Sequence, residues 1–346
     1  MKAIQLREYV KAPDNLVVSS IPTPTPSPTQ YLIAIHASAL NFFDILQISG
    51  KYQHQPPFPW IAGSEFSGVV LTPPKTRPPG AAAPAFKPGD RVFGAAQGAF
   101  ATHVCAEEAS LRPVPAGWTF KDAAGLMVTA PTAYAALVVR ARAQPGEVVL
   151  VHAAAGGVGL AAVQVAKALG CTVIATAGSA RKRDVAKRFG ADETVDYNAD
   201  GWEEEVKRLV LKRSKKKKGV DVVFDPVGMV QRSLKCTAWN GRIVVVGFAA
   251  GEIEKVGMNR VLLKNVSLVG LHWGMYAKEE KETVETVWRG LYELIEGGRF
   301  KGTQWTDKKL VGLESVKEGL KMLGSRETWG KVVVEVEVED GRQSKL

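Results

Sequence analysis

Residues 148–170, VVLVHAAAGGVGLAAVQVAKALG, constrain the fold more than any other stretch of the chain. A run of strand-forming residues, Val148 to Val151, enters a turn of small residues. The turn opens directly into a helical pattern in which Val158, Ala162, Val165 and Leu169 recur on one face. Ala153, Gly156 and Gly159 set an A-x-x-G-x-x-G spacing, a variant of the dinucleotide fingerprint. The chemistry behind it is proximity. Side chains here would hold a pyrophosphate away from the backbone N–H groups and from the positive end of the helix. Tight strand-to-helix packing also calls for glycine, so the turn gains its meaning from what surrounds it.

Further strands are expected at 172–176, 193–196, 221–225, 242–247 and 266–271, with helices at 182–189 and 202–212 between them. This βαβ rhythm predicts a doubly wound parallel sheet. Residues 1–125 look different. Short apolar strands at 31–35, 68–71 and 91–93 alternate with Pro- and Gly-rich connections at 21–28 and 72–88. A helix is expected at 280–296, and KVVVEVEV at 331–338 alternates as a half-buried strand. The C-terminal segment is expected to return to the first domain. The expected division is therefore 1–125 with 272–346, and a Rossmann domain at 126–271.

The second strand is followed by Ala177-Gly178-Ser179-Ala180-Arg181-Lys182-Arg183, with no acid where an NAD site places one. A small hydroxyl and three cations begin the next helix instead. Ser179 and Lys182 at a helix N-terminus suit a dianionic 2′-phosphate, so the expected cofactor is NADPH.

Composition narrows the setting. In 346 residues, 46% hydrophobic and 23% charged, no apolar run approaches the length needed to span a bilayer. No signal peptide is expected at the start of the sequence. Cys105, Cys171 and Cys236 lie far apart, as free thiols in a reducing compartment do. The net charge of +10 is concentrated at Lys212, Arg213 and Lys215–Lys218. No aromatic side chains are interleaved there to stack bases, so a solvated loop is expected and nucleic acid is not the expected partner. Ser344, Lys345 and Leu346 spell a peroxisomal address, readable by an import receptor in a eukaryote.

Taken in order, Asn41-Phe42-Phe43-Asp44, Gly50-Lys51-Tyr52, Gly89-Asp90-Arg91-Val92, Ala153 to Gly159, Val195-Asp196-Tyr197, Phe224 to Gly228, Gly241 to Phe248, Leu263-Lys264-Asn265 and Trp329-Gly330-Lys331 resemble the medium-chain dehydrogenase/reductase superfamily. Specifically, they resemble its zinc-free, zeta-crystallin-like quinone oxidoreductase branch. The resemblance covers nearly the whole chain. It implies a GroES-like β-rich domain, a Rossmann domain, and NADPH in a cleft between them. Carried over by position, it places Gly156, Gly157, Val158 and Gly159 along the pyrophosphate and Ser179, Lys182 and Tyr197 at the 2′-phosphate end. Gly247 and Phe248 would line the middle of the cofactor. Asn41, Thr129, Gly330 and Lys331 would approach its nicotinamide half. A homodimer joined edge to edge through 266–271 is also implied.

Many members of that superfamily are zinc alcohol dehydrogenases. The positions of their Cys and His ligands here read Leu40-Asn41-Phe42 and Gly63-Ser64-Glu65, and three cysteines cannot build a Cys₄ site. No metal is expected. Without a Lewis acid, hydride transfer favours acceptors that spread the incoming charge themselves. Quinones do so, and enones and enoyl-CoA thioesters are the alternative. Tyr52, in the G-x-Y motif, is the expected proton donor, and Asn41 the expected orienting residue. Family relatives also include crystallins and RNA binders, a non-enzymatic alternative.

Overall fold

Four consecutive apolar residues without a polar face must be covered from both sides, and Val148–Val151 (β1) lies inside a six-stranded sheet with every residue buried. Its companions are β2 (Thr172–Thr176), β3 (Glu193–Val195), β4 (Val220–Asp225), β5 (Thr237–Val245) and β6 (Ser267–Gly270). The order is β3-β2-β1-β4-β5-β6 and every pairing is parallel. This is the doubly wound arrangement, whose order reverses between β1 and β4. The helices α1 (Gly157–Ala168), α2 (Ala180–Arg188), α3 (Trp202–Arg213), α4 (Val230–Cys236) and α5 (Met258–Lys264) connect the strands. Leu150, Ile174, Trp202, Val206, Val223 and Leu234 pack one core.

The computed structural model describes residues 1–76, 83–214 and 218–337. Most of the lysine run, at 215–217, and the Ser344–Leu346 tripeptide lie outside the described residues, as does part of the 72–88 loop.

Two compact units emerge, Met1–Val128 with Gly302–Leu346, and Thr129–Lys301. The expected boundary at 271/272 moves. Helices α6 (Trp273–Glu279) and α7 (Lys281–Glu296) stay with the parallel sheet's unit instead of returning to the first. The cause is the apolar face of α7, which buries Val287, Trp288, Leu291, Leu294 and Ile295. Lys301 is clasped in the same unit: its amide donates to Gln164 Oε1 at 2.9 Å and its carbonyl accepts from Gln164 Nε2 at 3.1 Å.

In the first unit a mainly antiparallel sheet runs Leu310–Val311, Val333–Glu335, Gln30–Ala39, Glu65–Thr72, Arg91–Ala95, Leu111–Pro113, with His103–Glu107 also paired to Gln30–Ala39. The terminal strand is shorter than its alternation predicts. Its register, Val333 opposite Ala39, matters for the site, because the Leu40 amide then donates to Val332 O at 2.9 Å. Among the described residues, no helix is long and apolar enough to cross a membrane.

Candidate active site

In the Thr129–Lys301 unit, the turn after β1 is built around Ala153, held at φ 45°. Its carbonyl accepts from the Gly156 amide at 2.9 Å, and the Ala154 amide donates to Thr176 O at 3.0 Å. Gly156 then caps α1 in extended conformation with no side-chain hydrogen bond. The first-turn amides of Gly157, Val158 and Gly159 have no intrahelical acceptors, so they suit an anion.

The two motif glycines do different work. A Cβ on Gly159 would lie 2.4 Å from Ala153 O and 2.7 Å from Ala154 Cα, so this position lets α1 pack onto the turn. A Cβ on Gly156 would meet only Ala153 O, at 3.3 Å. Gly156 is exposed, and its missing side chain leaves the open side of the turn clear for a ligand. This cradle fits a pyrophosphate.

After β2, Ser179 caps α2 and its hydroxyl accepts from the Lys182 amide at 3.3 Å. The Tyr197 hydroxyl would stand 3.2 Å from a Cβ on Gly178, and Asn198 Nδ2 donates to Gly178 O at 3.0 Å. Ser179, Lys182 and Tyr197 thus gather at one turn. The neighbouring carboxylate, Asp196, is bonded by Arg183 at 2.6 Å, and that pairing helps hold its pKa below the usual range, with the Asn198 amide as the leading cause. No unpaired acid opposes a 2′-phosphate from there.

Past β5, the Val246 amide donates to Asp225 O at 2.8 Å and the Ala249 amide to Pro226 O at 3.0 Å. These bonds hold Gly247 and the exposed Phe248 against the β4–α4 turn. Asp225 forms that turn, accepting from the amides of Val227, Gly228 and Met229 at 2.8, 2.9 and 2.6 Å. In the sequence Asp225 stands out only as part of the Phe224–Gly228 motif. Thr129 is buried on the Leu126–Tyr134 helix.

The first unit gathers the other expected residues. Asn41 precedes the Phe42–Ile48 helix, and its amide N–H donates to Asp44 Oδ2 at 2.7 Å. Its Nδ2 donates to Glu65 Oε2 at 3.0 Å, while its Oδ1 accepts from Lys331 Nζ at 2.7 Å. Lys331 also donates to Leu40 O at 3.1 Å and to Glu65 Oε2 at 2.7 Å. An ammonium has three N–H groups, and all three are used here. Lys331 is only 4% exposed, and its ammonium is committed to this interior. Gly330, beside it, sits at φ 58°.

Glu65, fully buried, completes its own set by accepting from the Val128 amide at 2.8 Å. A cation on one side and a carboxylate on the other fix the Asn41 amide in one orientation. Among the described residues, its second Nδ2–H has no acceptor. Asp44 is pushed up to about 7, chiefly by burial, against the pull of the Asn41 amide and of Lys331. Tyr52 is half-buried, its ring stacked on Phe43 at 5.4 Å. Burial first, and the Asp44 charge second, raise its pKa, so the phenol keeps its proton at neutral pH.

The sequence matches two family descriptions, "Alcohol dehydrogenase GroES-like domain" over residues 27–139 and "Zinc-binding dehydrogenase" over residues 157–289. It is 38% identical to quinone oxidoreductase-like protein 2 of Rattus norvegicus, across 89% of this chain and 85% of that protein. The chain belongs to the quinone oxidoreductase branch of the medium-chain dehydrogenase/reductases. It is also 33% identical to the quinone oxidoreductase of Homo sapiens, across 81% of this chain and 82% of the relative. Among solved structures, Escherichia coli quinone oxidoreductase complexed with NADPH superposes with a TM-score of 0.83 at 28% identity, covering 97% of this chain and all of that one.

Within this quinone oxidoreductase branch, the chain's departure from the zinc enzymes is now physical. Where the zinc ligands would come from, Asn41 and Glu65 bond the Lys331 ammonium, and the Ser64 hydroxyl donates to Asp44. That donor set offers zinc neither thiolate nor imidazole. Among the described residues, no group of three or more His, Cys, Asp or Glu side chains converges as a metal site.

Proposed function

We infer that this chain is a zinc-independent, NADPH-dependent oxidoreductase whose acceptors are quinones. The observation that carries this reading is the β2–α2 turn: an acid-free stretch with Ser179, Lys182 and Tyr197 around it, beside a glycine cradle fit for a pyrophosphate. The names of the relatives support the same acceptor class. Bound NADPH supplies a hydride, and with it two electrons. The amides of Gly157 to Gly159 hold the pyrophosphate, Ser179, Lys182 and Tyr197 hold the 2′-phosphate end, and Gly247 and Phe248 line the cofactor's middle.

Asn41 offers its remaining N–H to the acceptor oxygen. Tyr52, protonated at neutral pH, supplies the one proton that completes a hydroquinone after hydride arrival. Charge is spread by the acceptor itself, so orientation and a proton suffice.

Steady-state NADPH oxidation with 9,10-phenanthrenequinone, 1,4-benzoquinone and crotonyl-CoA tests this directly. Quinones are expected to turn over fastest. Negligible quinone turnover beside efficient crotonyl-CoA reduction would overturn the reading and select enoyl thioesters. Binding of single-stranded RNA that persists in saturating NADPH, without turnover, would select a binding role instead.

We further propose a homodimer formed through β6. This strand ends the sheet, paired only to β5 among the described strands, and its neighbourhood exposes large apolar side chains. Trp239 is 68% exposed, Leu262 78% and Leu263 73%, an apolar surface of the kind that marks an interface. A second copy pairing its own β6 would cover both the open ladder and these side chains. Sedimentation is expected to give twice the chain mass, and Leu263→Glu to give monomers; a monomeric parent protein would refute the dimer. Where Leu346 is the mature terminus in a eukaryote, Ser344–Leu346 are proposed to direct peroxisomal import. A reporter carrying these residues should enter peroxisomes, and diffuse cytosolic signal would reject that address.

A further inference from the structure

His152, directly after β1, is fully buried and both ring nitrogens are engaged. Nδ1 lies 2.9 Å from Thr176 Oγ1 at the end of β2, and Nε2 lies 2.8 Å from Ser233 Oγ on α4. The Ser233 hydroxyl donates to Met229 O at 2.7 Å, so toward the imidazole it can only accept. Nε2 therefore carries the proton. Nδ1 is left as an acceptor, and Thr176 donates to it. The imidazole and the Trp202 ring stand nearly perpendicular, at 82°, with centroids 5.3 Å apart, and Asp225 and Arg232 are the charged groups acting on the imidazole. Burial holds the imidazole neutral, with a pKa near 4.

The position of this relay is informative. His152 is the residue before Ala153, which begins the glycine turn. Thr176 is the third residue before Ser179, which caps α2. The same two segments are joined by the Ala154 amide to Thr176 O, at 3.0 Å. A neutral Nε2–H imidazole is thus a side-chain strut between the two turns that hold phosphates.

We propose that His152 is a positioning residue for the cofactor, acting through Thr176 to fix the separation between the pyrophosphate turn and the 2′-phosphate turn. This rests on the NADPH reading. NADPH has an anionic anchor at each turn, so it needs both in register. NADH has only the pyrophosphate, so it tolerates relaxation of the strut. The relay therefore contributes to cofactor choice without touching the cofactor.

The test compares NADPH and NADH affinities of the full chain by fluorescence titration, with thermal unfolding in parallel. Thr176→Val removes the donor at nearly constant volume. It is expected to weaken NADPH about tenfold, the weight of one buried hydrogen bond, and NADH by no more than about twofold. Thr176→Ser keeps the hydroxyl and should restore the wild-type ratio. Equal losses for both cofactors, or an unchanged ratio, would overturn the proposal even if the melting temperature falls. If Thr176→Val does not fold, ¹⁵N NMR of the wild-type imidazoles decides. One ring locked as Nε2–H from pH 5 to 8 supports the strut; no such ring overturns it. A wild-type protein that does not prefer NADPH at all would instead reject the cofactor reading, a separately visible result.

Discussion

A single side chain, Lys331, reorganises the chemistry expected of the first unit. Its ammonium is bonded to Leu40 O, Asn41 Oδ1 and Glu65 Oε2, in a nearly fully buried position. Lys331→Met strands a buried carboxylate and is expected to cost about 3–5 kcal/mol in urea unfolding. The double variant Lys331→Met with Glu65→Gln should recover a good part of that loss while leaving Asn41 unoriented and turnover poor. A double variant no more stable than the single would show that the ion pair is not the cause. Lys182 makes a different kind of contribution, one that needs the ligand. Lys182→Ala should raise the Kd for NADPH by about tenfold or more, as the loss of a charge-assisted hydrogen bond implies, and leave NADH nearly unchanged. Equal weakening of both cofactors in the same titration would remove Lys182 from the 2′-phosphate.

Among the elements, α1 has the least room for change. Gly159→Ala would place a methyl 2.4 Å from Ala153 O, so α1 must lift from its turn. We expect a lower melting temperature and loss of NADPH binding, whereas Gly156→Ala should fold normally and lose binding alone. Equal melting temperatures for the two variants would contradict this division of labour. The parallel strands were legible in the sequence because burial on both faces writes itself as Val-rich runs, as in VVLV of β1 and VVF of β4. Helix α7 was legible too, since its apolar stripe has helical spacing. Its allegiance was not: periodicity shows which face is buried and not what covers it. The site divides in the same way. The Gly156–Gly159 turn and the Ser179–Lys182 start are local patterns. The Asn41–Glu65–Lys331 cluster joins residues 266 and 290 positions apart, and no spacing rule reaches that far. The partners of His152 leave no local signal either, because Thr176 and Ser233 come from other elements.

For the whole molecule, two buried groups set opposing slopes of stability with pH. Asp44 shifts from 3.8 to about 7 on folding, so between these values the folded chain holds a proton that the unfolded chain has lost, and stability falls as pH rises. His152 shifts from 6.5 to about 4, so between those values the unfolded chain binds the extra proton, and stability rises with pH. Over pH 4.5–6.5 the two offset each other. Asp44→Asn should unmask a steep acid loss, and His152→Gln should unmask a decline toward neutrality, both read from urea midpoints. Parallel profiles for wild type and variants would refute the assignment. The strand Val333–Glu335 and the lysine before it carry one last consequence. Synthesis delivers the Thr129–Lys301 unit complete while the first unit still lacks the strand Val333–Glu335 and the cation for its buried carboxylate. Although domains generally mature in the order they are made, here the amino-terminal unit must wait on the ribosome for its carboxy-terminal piece, and it finishes folding last.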